Sequence, residues 1–136
     1  MPILIGLIVA VVAAGAGAWW FYSSRAAAFP AGFPKEISVA DAAARRTAGA
    51  FILDVRQPEE WVEAHIPGST LIPLGELTRR VGEVPRGGEI VVVCRSGNRS
   101  QQGRDILRAA GITKVTSMAG GLRQWATAGH PTVSGP

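Results

Sequence analysis

Cys94, the only cysteine in a chain of 136 residues, stands where the sequence changes from apolar to polar. The residues before it, Ile90 to Val93, have the β-branched composition of a strand inside a parallel sheet. A short loop follows, Cys94-Arg95-Ser96-Gly97-Asn98-Arg99-Ser100, and a helix is predicted after the loop. Backbone N–H groups, a helix start and two guanidinium groups near a sulfur all favour the thiolate over the thiol, whose free pKa is about 8.5. The pattern therefore predicts sulfur chemistry, whereas a cysteine at a strand end without such a loop is usually an inert core residue.

Two arginines and a serine in this loop are the side chains that could assist the sulfur. Arg95 and Arg99 are candidates to bind an anionic substrate and to lower the pKa of the thiol, with solvated surface arginines as the alternative. Ser100 is predicted to cap a helix that runs to about Ala110. Of the remaining loop residues, Gly97 permits a tight turn, and both it and Asn98 are interpreted as serving the loop geometry.

Short apolar strands alternate with helices from about residue 35 onward, which predicts an α/β domain with a largely parallel sheet. The predicted strands are Ala50 to Val55, Thr70 to Ile72, Ile90 to Val93 and Lys114 to Met118. One predicted helix follows Ser38, and the next begins at Pro58. The others span Leu74 to Val81, follow Ser100, and lie around Leu122 to Ala128.

Polar residues at the carboxyl ends of two predicted strands are expected to meet, because ligands of parallel sheets bind at that edge. Asp54 ends one such strand and Cys94 follows another. His65 would be a general base only if the thiolate needed one, and its turn is interpreted as structural. Trp125 is interpreted as a core anchor.

The N-terminal part of the chain is uncharged and apolar over residues 3–22, long enough as a helix to span about 30 Å of bilayer. It ends in the aromatic cluster Trp19-Trp20-Phe21-Tyr22, which suits a membrane interface. We predict a transmembrane helix over 3–22, a linker over 23–34 and a folded domain over 35–131. A cleaved signal peptide remains an alternative, since Ala26-Ala27-Ala28 resembles a cleavage site.

The distribution of charge indicates topology and argues against one class of partner. Arg25 and Lys35 follow the apolar segment and no basic side chain precedes it, so the positive-inside rule predicts a cytoplasmic C-terminal domain. A lone cysteine agrees with a reducing compartment. The net charge is +4, but the arginines are scattered and form no basic run with aromatics, so we expect no nucleic-acid partner.

Several motifs together resemble the single-domain rhodanese family and cover roughly residues 35–131. They are Asp54-Val55-Arg56, Glu59 to Trp61, His65-Ile66-Pro67-Gly68-Ser69, Cys94 to Ser100, and Gly120-Gly121-Leu122 to Trp125. The resemblance implies a five-stranded, largely parallel sheet flanked by helices, with the membrane helix outside the family domain. It also implies that Asp54 and Arg56 hold the loops around the site.

The resemblance further implies a sulfurtransferase in which Cys94 carries sulfur as a persulfide. A thiolate attacks thiosulfate or a related donor, and the N–H groups of the loop hold the terminal sulfur; these belong to Arg95, Ser96, Gly97, Asn98, Arg99 and Ser100. An external thiol or cyanide then accepts the sulfur, because no second cysteine exists in the chain. No metal or organic cofactor is implied.

Two alternatives to a sulfurtransferase are a phosphatase of the same fold and a protein that carries sulfur without rapid turnover. Phosphatases of this fold carry the longer loop C-x5-R, whereas here Arg99 is already the fifth residue after Cys94, which argues against phosphatase or arsenate reductase activity. The alternative to the enzyme is a persulfide carrier, or a redox or binding module, that serves a membrane protein with little steady-state turnover.

Overall fold

A parallel sheet forms the centre of residues 33–136, the part of the chain that this computed structural model describes. Within this range five strands pair in the order β1-β5-β4-β2-β3, and every pairing is parallel. The strands are β1 (Glu36–Ile37), β2 (Phe51–Asp54), β3 (Thr70–Leu71), β4 (Ile90–Val93) and β5 (Val115–Met118). The predicted α/β class with a parallel sheet is confirmed.

Helices cover both faces of the sheet, as parallel strands require. They are α1 (Val39–Thr47), α2 (Pro58–Glu63), α3 (Leu74–Arg80), α4 (Asn98–Ala109) and α5 (Gly121–Thr127), with a 3-10 turn at Val81–Glu83 after α3. Alternate residues of β4 enter two separate cores. Val91 and Val93 pack on one side with Trp125 of α5, while Val92 and Cys94 pack on the other side with Leu107 of α4.

Helix α4 lies unusually close to the sheet because it carries a glycine where it crosses β4. A Cβ atom on Gly103 would lie 3.1 Å from a methyl of Val92 and 3.3 Å from a methyl of Val55. The close packing fixes the helix that follows the cysteine loop, and so fixes the height of the loop above the sheet.

The start of α4 and the first strand differ from the sequence predictions. Helix α4 begins at Asn98 and not after Ser100, because Gly97 adopts a left-handed conformation, with φ of 109°, and turns the chain into the helix earlier. Ser100 is therefore inside the first turn and does not cap the helix. Strand β1 was absent from the predicted strands, since two residues are too short to show a period.

Two further predictions concern the N-terminal part of the chain. The predicted membrane helix, 3–22, lies outside the described residues, and so does most of the predicted linker. Within residues 33–136 no helix combines the length and the apolar character that crossing a bilayer requires.

Candidate active site

The sulfur of Cys94 lies inside a ring of hydrogen-bond donors formed by its own loop. The N–H of Gly97 donates to Cys94 Sγ at 3.0 Å, and the hydroxyl oxygen of Ser100 lies 3.5 Å from the same sulfur. That hydroxyl also lies 3.0 Å from the carbonyl oxygen of Gly97, so its single hydrogen donates to that carbonyl or, once the cysteine is a thiolate, to the sulfur. Gly97 directly precedes α4, and the N–H of Ser100, in the first turn of that helix, also faces the sulfur, so the early start of α4 contributes to this geometry.

Two opposing effects set the pKa of Cys94. The residue is only 1% exposed, and this burial raises the pKa of the thiol. Hydrogen bonds from the Ser100 hydroxyl and from the N–H groups of Ser100, Gly97 and Ser96 lower it, and their sum prevails, so the pKa of Cys94 lies below its ordinary value. The loop therefore stabilises a thiolate mainly through neutral hydrogen-bond donors.

Two backbone hydrogen bonds attach helix α5 to the cysteine loop. The N–H of Leu122 donates to the carbonyl of Cys94 at 2.8 Å, and the N–H of Arg123 donates to the carbonyl of Arg95 at 3.2 Å. Gly121 makes the approach possible, since a Cβ atom there would lie 2.3 Å from the Arg95 carbonyl. Sequence analysis named Gly121 only as part of a family motif and did not predict this contact with the cysteine loop.

Asp54 and Arg56, at the carboxyl end of β2, form an ion pair with each other. Arg56 donates from Nη2 to Asp54 Oδ2 at 2.8 Å and from Nε to both carboxylate oxygens at 3.0 Å. Its remaining N–H groups donate to the backbone carbonyls of Ala64 at 2.7 Å and Glu60 at 3.3 Å. Both side chains are buried. The pair thus attaches helix α2 to the end of the sheet beside the cysteine loop.

A second ion pair joins helix α2 to the cysteine loop. Arg99 donates from Nη1 and Nη2 to the two carboxylate oxygens of Glu60, each at 2.8 Å. The hydrogen bond from Arg99 is the main reason that the pKa of Glu60 falls to about 2, and the pKa of Arg99 is raised in turn. The charge of Arg99 is therefore matched by a carboxylate before any substrate arrives. Sequence analysis did not identify Glu60 as a site residue.

An open pocket of about 430 Å³ lies beside the cysteine loop. Its lining residues come from three segments, α2 with the loop before it, the cysteine loop and α5; they are Arg56, Glu60, Glu63, Arg95, Leu122 and Arg123. The pocket size is in the range of about 300–1,000 Å³ that small organic ligands occupy. Both guanidinium and carboxylate groups line it, so it is suited to a charged ligand.

The predicted site residues lie in one region, with different surroundings. Ser96 and Asn98 have exposed side chains, and Gly97 is buried. His65 is buried, with Nδ1 2.9 Å from the Trp61 carbonyl and its ring stacked on the Trp61 ring at 3.6 Å. Within residues 33–136, the hydrogen bond and the ring stacking of the His65 side chain are thus both with Trp61 of α2. Trp125 is buried and donates from Nε1 to the Pro131 carbonyl at 2.9 Å.

Comparisons with known proteins agree with this arrangement. The family model described as "Rhodanese-like domain" matches residues 38–128. The putative sulfur carrier protein YrkF of Bacillus subtilis is 43% identical over 74 residues, which are 54% of this chain and 40% of that protein. A sulfurtransferase of Allochromatium vinosum is 33% identical over 88 residues, 65% of this chain and 82% of that protein. The crystal structure of a rhodanese-related protein from Thermoplasma volcanium superposes with a TM-score of 0.68 at 30% identity, covering 74% of this chain and 98% of the other.

Proposed function

Because the chain belongs to the rhodanese-like domain family, we propose that it is a membrane-anchored sulfurtransferase that works through a Cys94 persulfide. The observation that carries the proposal is the ring of donors around Cys94 Sγ, with the N–H of Gly97 at 3.0 Å. Those donors lower the pKa of the thiol, and a thiolate is the nucleophile that sulfur transfer requires.

The first step forms the persulfide. The Cys94 thiolate attacks the outer sulfur of thiosulfate, a new S–S bond forms, and sulfite leaves with the electron pair of the bond that breaks. The persulfide carries one negative charge on its terminal sulfur, as the thiolate did. The loop N–H groups and the Ser100 hydroxyl are the donors that would hold that charge.

The second step returns the protein to its resting state. A thiolate or cyanide attacks the terminal sulfur and leaves as a persulfide or as thiocyanate, while the Cys94 thiolate is released. The sequence holds no second cysteine that could take the sulfur, so the acceptor is another molecule and the kinetics are of the ping-pong type.

Arg95 is proposed as the group that attracts an anionic donor. Its side chain is exposed and lines the pocket, and it makes no ion pair within residues 33–136. Arg95→Ala should weaken the use of thiosulfate more than the use of a neutral persulfide donor, because only thiosulfate carries the charge that the guanidinium binds. Equal losses with the two donors would remove this role from Arg95.

The cellular location is proposed from the sequence. Residues 3–22 would cross the membrane and leave the rhodanese-like domain on the cytoplasmic side, where it could serve a membrane-protein partner. Protease protection in sealed vesicles tests the topology. In vesicles whose outer face is the outer face of the cell membrane, a cytoplasmic domain should resist the protease until the vesicles are lysed. Digestion of the domain in the intact vesicles would contradict the proposed topology.

Intact mass of the full chain after incubation with thiosulfate tests the chemistry, with Cys94→Ser measured in parallel. We expect the mass of one added sulfur atom on the natural protein, lost on treatment with cyanide, and no added mass on the variant. The substitution is nearly isosteric, so the variant should keep its fold, which an unfolding curve verifies. Sulfur bound equally by both proteins would place the chemistry elsewhere.

A persulfide carrier is the second candidate function, and the similarity to a putative sulfur carrier protein favours it. Both functions need the same loaded cysteine, so the rate of turnover distinguishes them. Rapid steady-state formation of thiocyanate from thiosulfate and cyanide supports the enzyme. Complete loading of Cys94 with slow turnover supports the carrier.

A further inference from the structure

We propose that Arg123 completes, together with Arg95, an anion-binding subsite that takes the carboxylate of a small zwitterionic organic thiol. The inference rests on the proposed function, because it identifies the class of thiol that exchanges sulfur with Cys94. It assigns a role to Arg123, which lies on α5 and outside the cysteine loop.

The two arginines are neighbours through their backbones. The N–H of Arg123 donates to the carbonyl of Arg95 at 3.2 Å, and both residues line the pocket beside the cysteine loop. Both have exposed side chains, and neither makes an ion pair or a side-chain hydrogen bond within residues 33–136. Two guanidinium groups without partners on one pocket favour a ligand with a carboxylate or a similar anion.

The other arginines of this region have carboxylate partners. Arg56 is bound by Asp54 in a buried pair, and Arg99 is bound by Glu60 through two hydrogen bonds. Sequence analysis named Arg99 as the second anion-binding residue beside Arg95. The geometry assigns that role to Arg123, since its charge is the one that remains available at the pocket.

A carboxylate on the α2 side of the pocket narrows the class of ligand. Glu63 lines the pocket, has an exposed side chain, and makes no ion pair within the described part of the chain. Its negative charge would accept the ammonium group of a zwitterion whose carboxylate is bound by the arginines. The pocket volume, about 430 Å³, is large enough to admit an organic thiol of amino-acid size.

Acceptor kinetics of the full chain, loaded with sulfur, test the role of Arg123. The acceptors are 3-mercaptopropionate, cysteine and the neutral 2-mercaptoethanol, each measured at a pH that gives the same thiolate fraction. Arg123→Gln should raise KM about tenfold for the two carboxylate thiols, with KM for 2-mercaptoethanol and all kcat values unchanged. The matched control is Arg79→Gln, an exposed arginine on α3, which should change none of them. An equal change for all three thiols, or none, would overturn the proposal.

Glu63→Gln tests whether Glu63 binds the ammonium group of a zwitterionic thiol. It should raise KM for cysteine, which has an ammonium group, and should lower or leave unchanged KM for 3-mercaptopropionate, which has none. A rise in KM for both thiols would contradict the pairing of Glu63 with an ammonium.

Alkylation of the unloaded protein separates this inference from the proposed function, because it needs no sulfur transfer. The rate with iodoacetate, an anion, is divided by the rate with neutral iodoacetamide. Arg123→Gln should lower this ratio and Arg79→Gln should leave it unchanged. A lowered ratio in a protein that never loads sulfur would support the subsite and reject the sulfurtransferase, whereas an unchanged ratio would reject the subsite alone.

Discussion

The loops that follow β2 and β4 lie at the same edge of the sheet, yet they treat charge in opposite ways. After β2, the charges of Asp54 and Arg56 are buried and fully paired with each other and with backbone carbonyls. After β4, several N–H groups converge on one sulfur, and the pocket beside it holds two guanidinium groups, those of Arg95 and Arg123, that make no ion pair within residues 33–136. A loop whose charges are matched internally contributes to stability, whereas a loop with unmatched donors is ready for a ligand.

Helix α2 joins the two loops. Arg56 holds its backbone at Glu60 and Ala64, and the carboxylate of Glu60 reaches the cysteine loop through Arg99. The β2 loop thus acts as a support for the β4 loop. Substitutions in the first loop should change the stability of the domain, and substitutions in the second should change the reactivity of Cys94.

Removal of the buried carboxylate should have the largest effect on stability. Asp54→Ala leaves Arg56 buried and uncompensated, which typically costs about 3–5 kcal/mol. Urea unfolding of the domain measures this loss. Arg79→Ala breaks an exposed ion pair of α3 and should have little effect. Similar small losses in the two variants would show that the Asp54–Arg56 pair is not a structural support.

A methyl group at position 121 should displace the cysteine loop that follows β4. Gly121→Ala puts a Cβ atom into the carbonyl groups of Arg95 and Cys94, and it also requires a left-handed conformation, so the loss should exceed about 2 kcal/mol and slow the alkylation of Cys94. Gly129→Ala is the matched control, since it has a similar φ of 83° and nothing within 4 Å. It should lose about 1–2 kcal/mol from strain alone and leave the alkylation rate unchanged. Equal reactivity in both variants would contradict the coupling of α5 to the loop.

The stability that the Glu60–Arg99 pair contributes should depend on pH. The pKa of Glu60 is lowered to about 2, so the stability that it contributes is complete above its ordinary pKa, 4.5, and is lost as the pH falls through 2. The stability difference between the natural protein and Glu60→Gln should therefore be largest at neutral pH and shrink from pH 4.5 to 2. Unfolding curves at several pH values measure it, and a constant difference would mean that the pair contributes nothing.

Loss of the Ser100 hydroxyl should change the reactivity of the thiol. Ser100→Ala removes a hydrogen bond that lowers the pKa of Cys94, so the pKa should rise and the thiolate fraction at pH 7 should fall by up to about tenfold. The rate of reaction with iodoacetamide, measured against pH, should show a midpoint at higher pH. Gln102→Ala, an exposed residue of α4, serves as the control and should keep the midpoint of the natural protein.

Local patterns predicted the parts of the fold that depend on neighbouring residues. The apolar run of β4 and the polar loop after it are contiguous, so the position of Cys94 at the end of a buried strand could be predicted from sequence. The predicted start of α4 is three residues late, because the sequence shows that Gly97 permits a turn but does not show that the helix begins directly after it. Strand β1 forms through pairing with β5, which no local signal encodes.

Contacts between distant residues were beyond sequence analysis for a physical reason. Glu60 and Arg99 lie 39 positions apart, and either could have been a solvated surface charge. The packing of α2 beside the cysteine loop gives Arg99 a carboxylate partner, whereas Arg95 and Arg123 have none among the residues that the structure describes. Which arginine remains available to a ligand is therefore a property of the fold and not of the loop motif.

The ring of N–H groups around Cys94 has a consequence for the whole proposed cycle. The thiolate and the persulfide each carry a single negative charge, and loading moves that charge outward by one S–S bond, about 2 Å. What passes from donor to acceptor is then formally a neutral sulfur atom exchanged between anions. The dipoles of the loop face the same net charge in the empty and the loaded protein, so turnover requires no counter-ion to enter and no side chain to change its protonation.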